Sequence, residues 1–250
     1  MALGIDSAWL RRYAIQGPPA ARLVCLPHAG GSASFFHRWG HAFGAGVEVL
    51  ATRYPGRQER IAEPLFTAME PMADALTEEL RPLAATGTPL ALFGHSMGAS
   101  LAYEVTLRLQ ERYGTPPALL MVSCRKAPHL LTPRAELADK NNVLPEVRRM
   151  GGTDAALLED PDLRELILPA IEADFGIVAR YGARPGIQLE CPVVGYLGEG
   201  DPDVDEPGVR GWESLAPKGF EMRVLPGGHF YLVDQEAELV RDVGRRMAAL

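Results

Sequence analysis

Six short apolar runs, at 22–26, 47–51, 90–93, 119–123, 193–197 and 222–225, are bounded by glycine and proline and read as buried strands. Between several of them lie segments of helical period, at 69–85, 99–113 and 235–250. Strands that alternate with helices need crossover connections. They build a mostly parallel central sheet flanked by helices, the α/β class. One interval breaks the rhythm. From 129 to 181 no strand-like run occurs, while Leu137, Val143, Val147, Leu157, Leu158, Leu166 and Ile167 recur at roughly helical spacing. This predicts a helical insertion, either a mobile lid or a rigid cap over one sheet face. Pro145, Pro161 and Pro169 are expected to divide it into short helices, with Gly151 and Gly152 as a joint.

At 250 residues, an α/β sheet of this kind is commonly one domain, and 1–250 is read as such with 129–181 inserted in it. No run approaches 18 apolar residues, and Arg11 and Arg12 interrupt the only early apolar stretch. The expectation is a cytoplasmic monomer without membrane contact. A net charge of -7 excludes generic nucleic-acid binding, which needs a basic surface. The cysteines, Cys25, Cys124 and Cys191, are odd in number and sit in or beside apolar runs, as buried reduced thiols do, so neither a disulfide nor a metal is expected.

The chemistry is concentrated where a strand runs through Gly94-His95-Ser96-Met97-Gly98 into a helix. In this G-x-S-x-G elbow the serine sits on a tight, strained turn, its hydroxyl projects above the sheet, and the glycines admit neighbouring backbone. Ser96 is therefore the candidate nucleophile of an α/β-hydrolase fold. In that fold an acid and then a histidine follow on loops after later strands. The loop Pro226-Gly227-Gly228-His229 supplies His229 as the base. The loop after 193–197 holds several carboxylates. Asp201, three residues past Gly198 and stiffened by Pro202, is the chosen acid; Asp203 is the runner-up, and Glu199 and Asp205 trail. His95 is read as structural, and His28 as a possible wall of the site. The first strand ends in the Gly-rich segment 26–32, so the amides of Ala29 and Met97 are the expected oxyanion hole.

Several segments carry a resemblance: PHAGGSASFFHRW (27–39), YPGRQERIAEP (54–64), FGHSMGA (93–99), the pair Ala127 and Pro128, LPAIEADF (168–175) and PGGHFYL (226–232). Over about 22–232 the chain resembles type II thioesterases, the stand-alone editing enzymes of polyketide synthases and nonribosomal peptide synthetases. The resemblance implies hydrolysis of stalled or mis-primed acyl groups from the phosphopantetheine thiol of acyl or peptidyl carrier proteins. It places the triad on Ser96, Asp201 and His229 and the lid on 129–181. It implies no cofactor of the enzyme's own, since the phosphopantetheine arm belongs to the carrier. Arg57, Arg60, Arg125, Lys126, Arg148 and Arg149 are possible docking charges for an acidic partner, each weighed against the commoner role of a solvated or locally paired cation. The other reading is a small-molecule carboxylesterase or lipase with the same triad.

Overall fold

All six apolar runs are strands of one seven-stranded sheet, in the order β1-β3-β2-β4-β5-β6-β7. The computed structural model describes residues 7–13, 15, 17–44, 46–151, 158–182 and 187–250. The strands are β1 (Leu10–Arg12), β2 (Ala21–Leu26), β3 (Val47–Thr52), β4 (Leu90–His95), β5 (Leu119–Ser123), β6 (Val193–Gly198) and β7 (Phe220–Leu225). Pairing from β3 through β7 is parallel, and only β1 is antiparallel. Sequence reading missed β1, since three residues with two arginines carry no apolar period. It is an edge strand tied down by Arg11 to Glu59 and by Arg12 to Glu48.

Central strands β2, β4, β5 and β6 are buried at every position, as expected where helices cover both faces of a parallel sheet. The flanking helices include α1 (Met69–Ala84), α2 (Met97–Tyr113) and a C-terminal α5 (Glu236–Met247). Helix α2 is enclosed almost completely: every residue from 97 to 109 is buried, Glu104 and Arg108 included. Those two charges are tolerable because they meet each other. The Arg108 guanidinium pairs with Glu104 and donates through Nε to Asp74 of α1 at 2.7 Å, while Tyr181 Oη donates to Glu104 at 2.9 Å.

The described residues of the 129–181 interval carry helices and no strand between β5 and β6, as expected, among them α3 (Lys140–Met150) and α4 (Pro161–Arg180). The prolines do not divide it as predicted. Pro161 opens α4 at the first helical position, where no amide hydrogen is needed, and the Asp160 carboxylate accepts from Asp162 N and Leu163 N at 2.9 and 3.2 Å. Pro169 lies within the 20-residue α4 and Pro145 within α3. Each removes one helical hydrogen bond, and burial of Ile171 and Ile177 beyond Pro169 holds the remainder of α4 in place. Val143, Leu158 and Ile171 form a small core of their own, whereas Leu166 faces outward. Gly152 of the expected joint and Leu157 lie outside the described residues.

Removing Glu104 leaves the buried Arg108 guanidinium with Asp74 as its one remaining acid among the described residues and takes the acceptor from Tyr181 Oη. Glu104→Ala should lower unfolding stability by about 3 kcal/mol, read as a lower urea midpoint at an unchanged denaturant slope.

Candidate active site

The nucleophile turn follows from two close approaches. A Cβ on Gly94 would lie 2.2 Å from Gly98 O, and one on Gly98 would lie 2.1 Å from Leu26 O. Only glycine at both positions lets α2 leave β4 so sharply while pressing on the end of β2. Ser96 between them adopts φ 55° and ψ -116°, and its amide donates to Ser123 O at 2.8 Å. Such backbone strain in a non-glycine residue costs roughly 1–3 kcal/mol and persists only where surrounding structure enforces it.

Three loops converge on this serine. The acid loop and the histidine loop are joined by backbone hydrogen bonds, Glu199 N to Leu225 O and Gly200 N to Gly227 O, both 2.8 Å. A Cβ on Gly198 would sit 2.1 Å from Gly228 O, so glycine is required for that contact. His229 Nδ1 then lies 2.7 Å from Asp201 Oδ2. The Asp201 side chain is shut off from solvent. Burial by itself would raise its carboxyl, but hydrogen bonds and charge from His229, the Asp203 amide and the Cys124 thiol outweigh it and leave the group below its ordinary value. An ionised Asp201 accepts from Nδ1–H, which leaves His229 Nε2 as an acceptor. Its other oxygen accepts from Asp203 N and Val204 N at 2.9 and 3.1 Å.

Asp203, the competing acid, turns elsewhere. Its carboxylate meets Arg134 at 3.1 Å and also Arg149, both from the helical insertion. Neither Glu199 nor Asp205 bonds His229 either; Asp205 caps a short helix through Gly208 N at 3.1 Å. His95 is buried and its Nδ1 lies 3.0 Å from Ser123 Oγ, away from the nucleophile. Burial, helped by the neighbouring His229 and His28, holds its imidazole well below the usual range and so neutral.

Ser96, His229, His28 and Ala29 line one cavity of about 500 Å³, which the insertion closes with Leu137, Val147 and Phe175. Met97 is the first residue of α2, where helix geometry leaves amides without intrahelical acceptors. The loop carrying Ala29 is held from both sides. Tyr54 Oη donates to Pro27 O at 3.1 Å, and Gly30 N donates to Asp174 of α4 at 2.8 Å. Gly30 has φ 80°, and a Cβ there would meet Ile171 of α4 at 2.9 Å.

Asp174 is the residue that sequence reasoning missed. Buried with Arg57, it accepts from Arg57 Nη1 and Nη2 at 2.7 and 3.0 Å, while Nη1 also donates to Gly31 O at 2.9 Å. Three of the segments that carried the resemblance, 27–39, 54–64 and 168–175, therefore meet at one ion pair. The available signal was an arginine and an aspartate inside otherwise unassigned motifs. Three of the possible docking charges are enclosed instead. Arg57 and Arg60 are buried, and Arg125 lies in the cavity wall hydrogen-bonded to Ser100. Arg149 is engaged by Glu146 and Asp203, and Arg148 by Glu159.

All three cysteines are buried free thiols, as expected. Donor atoms of Cys124, Asp201 and His229 lie within 4.8 Å of one another, a set of kinds that suit zinc. Yet the imidazole and carboxylate bond each other directly, and burial raises the Cys124 thiol well above its ordinary value, keeping it a protonated donor to Asp201.

Two outcomes follow from these contacts. In a double-mutant cycle of Arg57→Met and Asp174→Leu, each single change should cost about 3 kcal/mol or more, and the double less than their sum, measured by urea unfolding. Because the Asp201 carboxyl is lowered in the fold, its contribution is complete above the unfolded value and is lost as pH falls through the folded one. The stability gap between the wild-type chain and Asp201→Asn should therefore be full at pH 7 and shrink below about pH 3.9.

Known proteins match this chain over nearly its whole length. The thioesterase domain model matches residues 21–247. The chain is 42% identical over 243 residues to Thioesterase PikA5 of Streptomyces venezuelae, covering 96% of this chain and 86% of that one. It is 30% identical over 234 residues to the gramicidin S biosynthesis protein GrsT of Aneurinibacillus migulanus, covering 93% and 91%. The type II thioesterase BorB from the borrelidin biosynthetic cluster superposes with a TM-score of 0.86 at 35% identity, over 96% of this chain and 97% of that one. The fold expectation holds, and so does the resemblance: the chain belongs to the thioesterase family, with type II thioesterases as its relatives in sequence and structure, and is a thioester hydrolase.

Proposed function

We propose that this thioester hydrolase removes stalled or mis-primed acyl groups from the phosphopantetheine thiol of acyl or peptidyl carrier proteins in polyketide or nonribosomal peptide assembly. The observation that carries the reading is the single cavity lined by Ser96 and by the Asp201-bound His229, under a helical insertion. The relatives support the setting: BorB is a type II thioesterase of the borrelidin cluster, and YbtT, 28% identical with a TM-score of 0.84 over 97% of this chain and 99% of that one, is a type II thioesterase of a mixed nonribosomal peptide and polyketide pathway.

In the proposed mechanism, Ser96 Oγ attacks the thioester carbonyl while His229 Nε2 takes its proton. Asp201 keeps the proton on Nδ1 and stabilises the imidazolium. The amides of Ala29 and Met97 receive the oxyanion; one such donor contributes about 3 kcal/mol. The leaving thiolate takes the proton from His229, giving an acyl-enzyme, and water then attacks the ester with His229 again as base. The chemistry needs no metal or cofactor of the enzyme's own.

The 129–181 insertion serves as the lid in this reading. Because Asp174 and Ile171 tie α4 to the oxyanion loop, opening is assigned to the segment around α3. Its attachment to the acid loop is ionic, through Arg134, Arg149, Glu146 and Asp203, and therefore weakens with salt. Among the described residues no helix is long and apolar enough to cross a membrane.

Ser96→Ala should abolish turnover with the fold intact, and Asp201→Asn should lower kcat by about 10⁴ through the wrong imidazole tautomer. Asp203→Asn should cost far less, since it loosens only the insertion. The deciding assay compares kcat/KM for one acyl group on a phosphopantetheinylated carrier protein, on pantetheine and as a p-nitrophenyl ester. Preference for the carrier-bound thioester is expected; indifference to the carrier with faster turnover of the free ester would leave a small-molecule esterase instead.

A further inference from the structure

Arg125 follows Cys124 at the end of β5, and its partly buried side chain lines the same cavity as Ser96 and His229. Both ends of the residue are held. Its Nε donates to Ser100 Oγ at 2.8 Å, and its carbonyl accepts from Trp212 Nε1 at 2.9 Å. Ser100 stands one turn beyond Ser96 on α2, an axial rise of about 6 Å.

The other lysine and arginine side chains on the cavity wall already have counter-charges. Lys126 faces Asp205 at 3.7 Å, and Arg134 meets Glu136 at 2.9 Å and Asp203 at 3.1 Å. The cavity's remaining acid, Glu146, is bonded by Arg149 at 2.7 Å. Glu104, the next acid along α2 from Ser100, is taken by Arg108 and by Tyr181 Oη. Arg125 has no ion pair among the described residues; Tyr181 beside it is a phenol whose hydroxyl burial pushes well up, so it brings no counter-charge at neutral pH, and Arg134 adds repulsion. Burial lowers its guanidinium to about 10, still cationic at neutral pH. A cation kept in a chamber wall without a carboxylate disfavours a wholly apolar occupant and favours one that brings an oxyanion.

We propose that Arg125 forms an anion subsite in the acyl chamber, which takes acyl groups bearing a carboxylate a few bonds beyond the thioester carbonyl, that is, half-thioesters of dicarboxylic acids. Proximity to the nucleophile selects this source. The phosphodiester of a phosphopantetheine arm is also an oxyanion, but it stands the whole length of the arm away from the reacting carbonyl. The subsite rests on the reading above only in that the chamber must hold the acyl group.

The test uses the full chain with glutaryl and valeryl groups, which differ by one terminal carboxylate, each on pantetheine and on phosphopantetheine, and with Ser96→Ala as blank. In Arg125→Gln the glutaryl-to-valeryl ratio of kcat/KM should fall by about tenfold or more, chiefly through KM, and Arg125→Lys should restore part of it. An unchanged ratio, or an equal fall for both acyl groups, overturns the subsite while Ser96-dependent turnover stands. Loss of a preference for phosphopantetheine over pantetheine in Arg125→Gln, with the acyl ratio unmoved, overturns the acyl assignment in favour of the arm. Turnover that survives in Ser96→Ala overturns the proposed function itself. If Arg125→Gln does not fold, dissociation constants on Ser96→Ala decide: glutaryl-pantetheine should bind about tenfold tighter than valeryl-pantetheine, and equal affinity overturns the subsite.

Discussion

The approach of α2 to the end of β2 is the contact on which the site depends. With no Cβ at Gly94 or Gly98, the helix starts against the carbonyl of Leu26, and the strain of that turn falls on Ser96. One consequence is that the half-buried Ser96 lines the cavity at the end of β4. Another is that the start of α2, where Met97 stands, is pressed against the segment of Leu26 and Pro27 from which the loop carrying Ala29 departs. A side chain at either glycine would move all of them together.

Ion pairs extend this rigidity to parts of the chain that the sheet does not reach. The Arg57 guanidinium bridges Asp174 on α4 and the carbonyl of Gly31, while Asp174 also accepts from the amide of Gly30. A desolvated pair of this kind is weak evidence of stability, because removing two charges from water is costly. Its value lies in direction: a bidentate arginine admits few geometries. It fixes where the loop carrying Ala29 stands relative to the insertion, whereas the ionic cluster around Asp203 lies nearer solvent and yields more readily to salt.

Neighbouring acids in one loop thereby acquire separate tasks. Asp201 is enclosed and faces an imidazole; Asp203, two residues on, faces arginines of the insertion. Loop direction, not intrinsic acidity, separates them. The cavity wall follows the same logic in reverse, since acids engage Lys126 and Arg134 but not Arg125.

Six of the seven strands, the elbow at 94–98 and the succession of serine, acid loop and histidine loop were legible in the residues, because apolar period, glycine spacing and chain order are local properties; the order of the strands within the sheet is set by which strands pair. The short β1 was not, since its place comes from pairing with β3 and from ion pairs rather than from any period of its own. Nor did proline content predict the course of α4, where burial beyond Pro169 outweighs one lost hydrogen bond. Choosing among the acids was possible only as a preference from loop position, and which of the possible docking arginines are enclosed or locally paired could not be told. The physical reason is the same in each case: whether a charge is exposed, paired or stranded depends on residues far away in sequence, 117 positions apart for Arg57 and Asp174. Sequence alone determined the scaffold and the nucleophile's turn. Tertiary packing decided which carboxylate met the imidazole and which arginine was left facing the chamber.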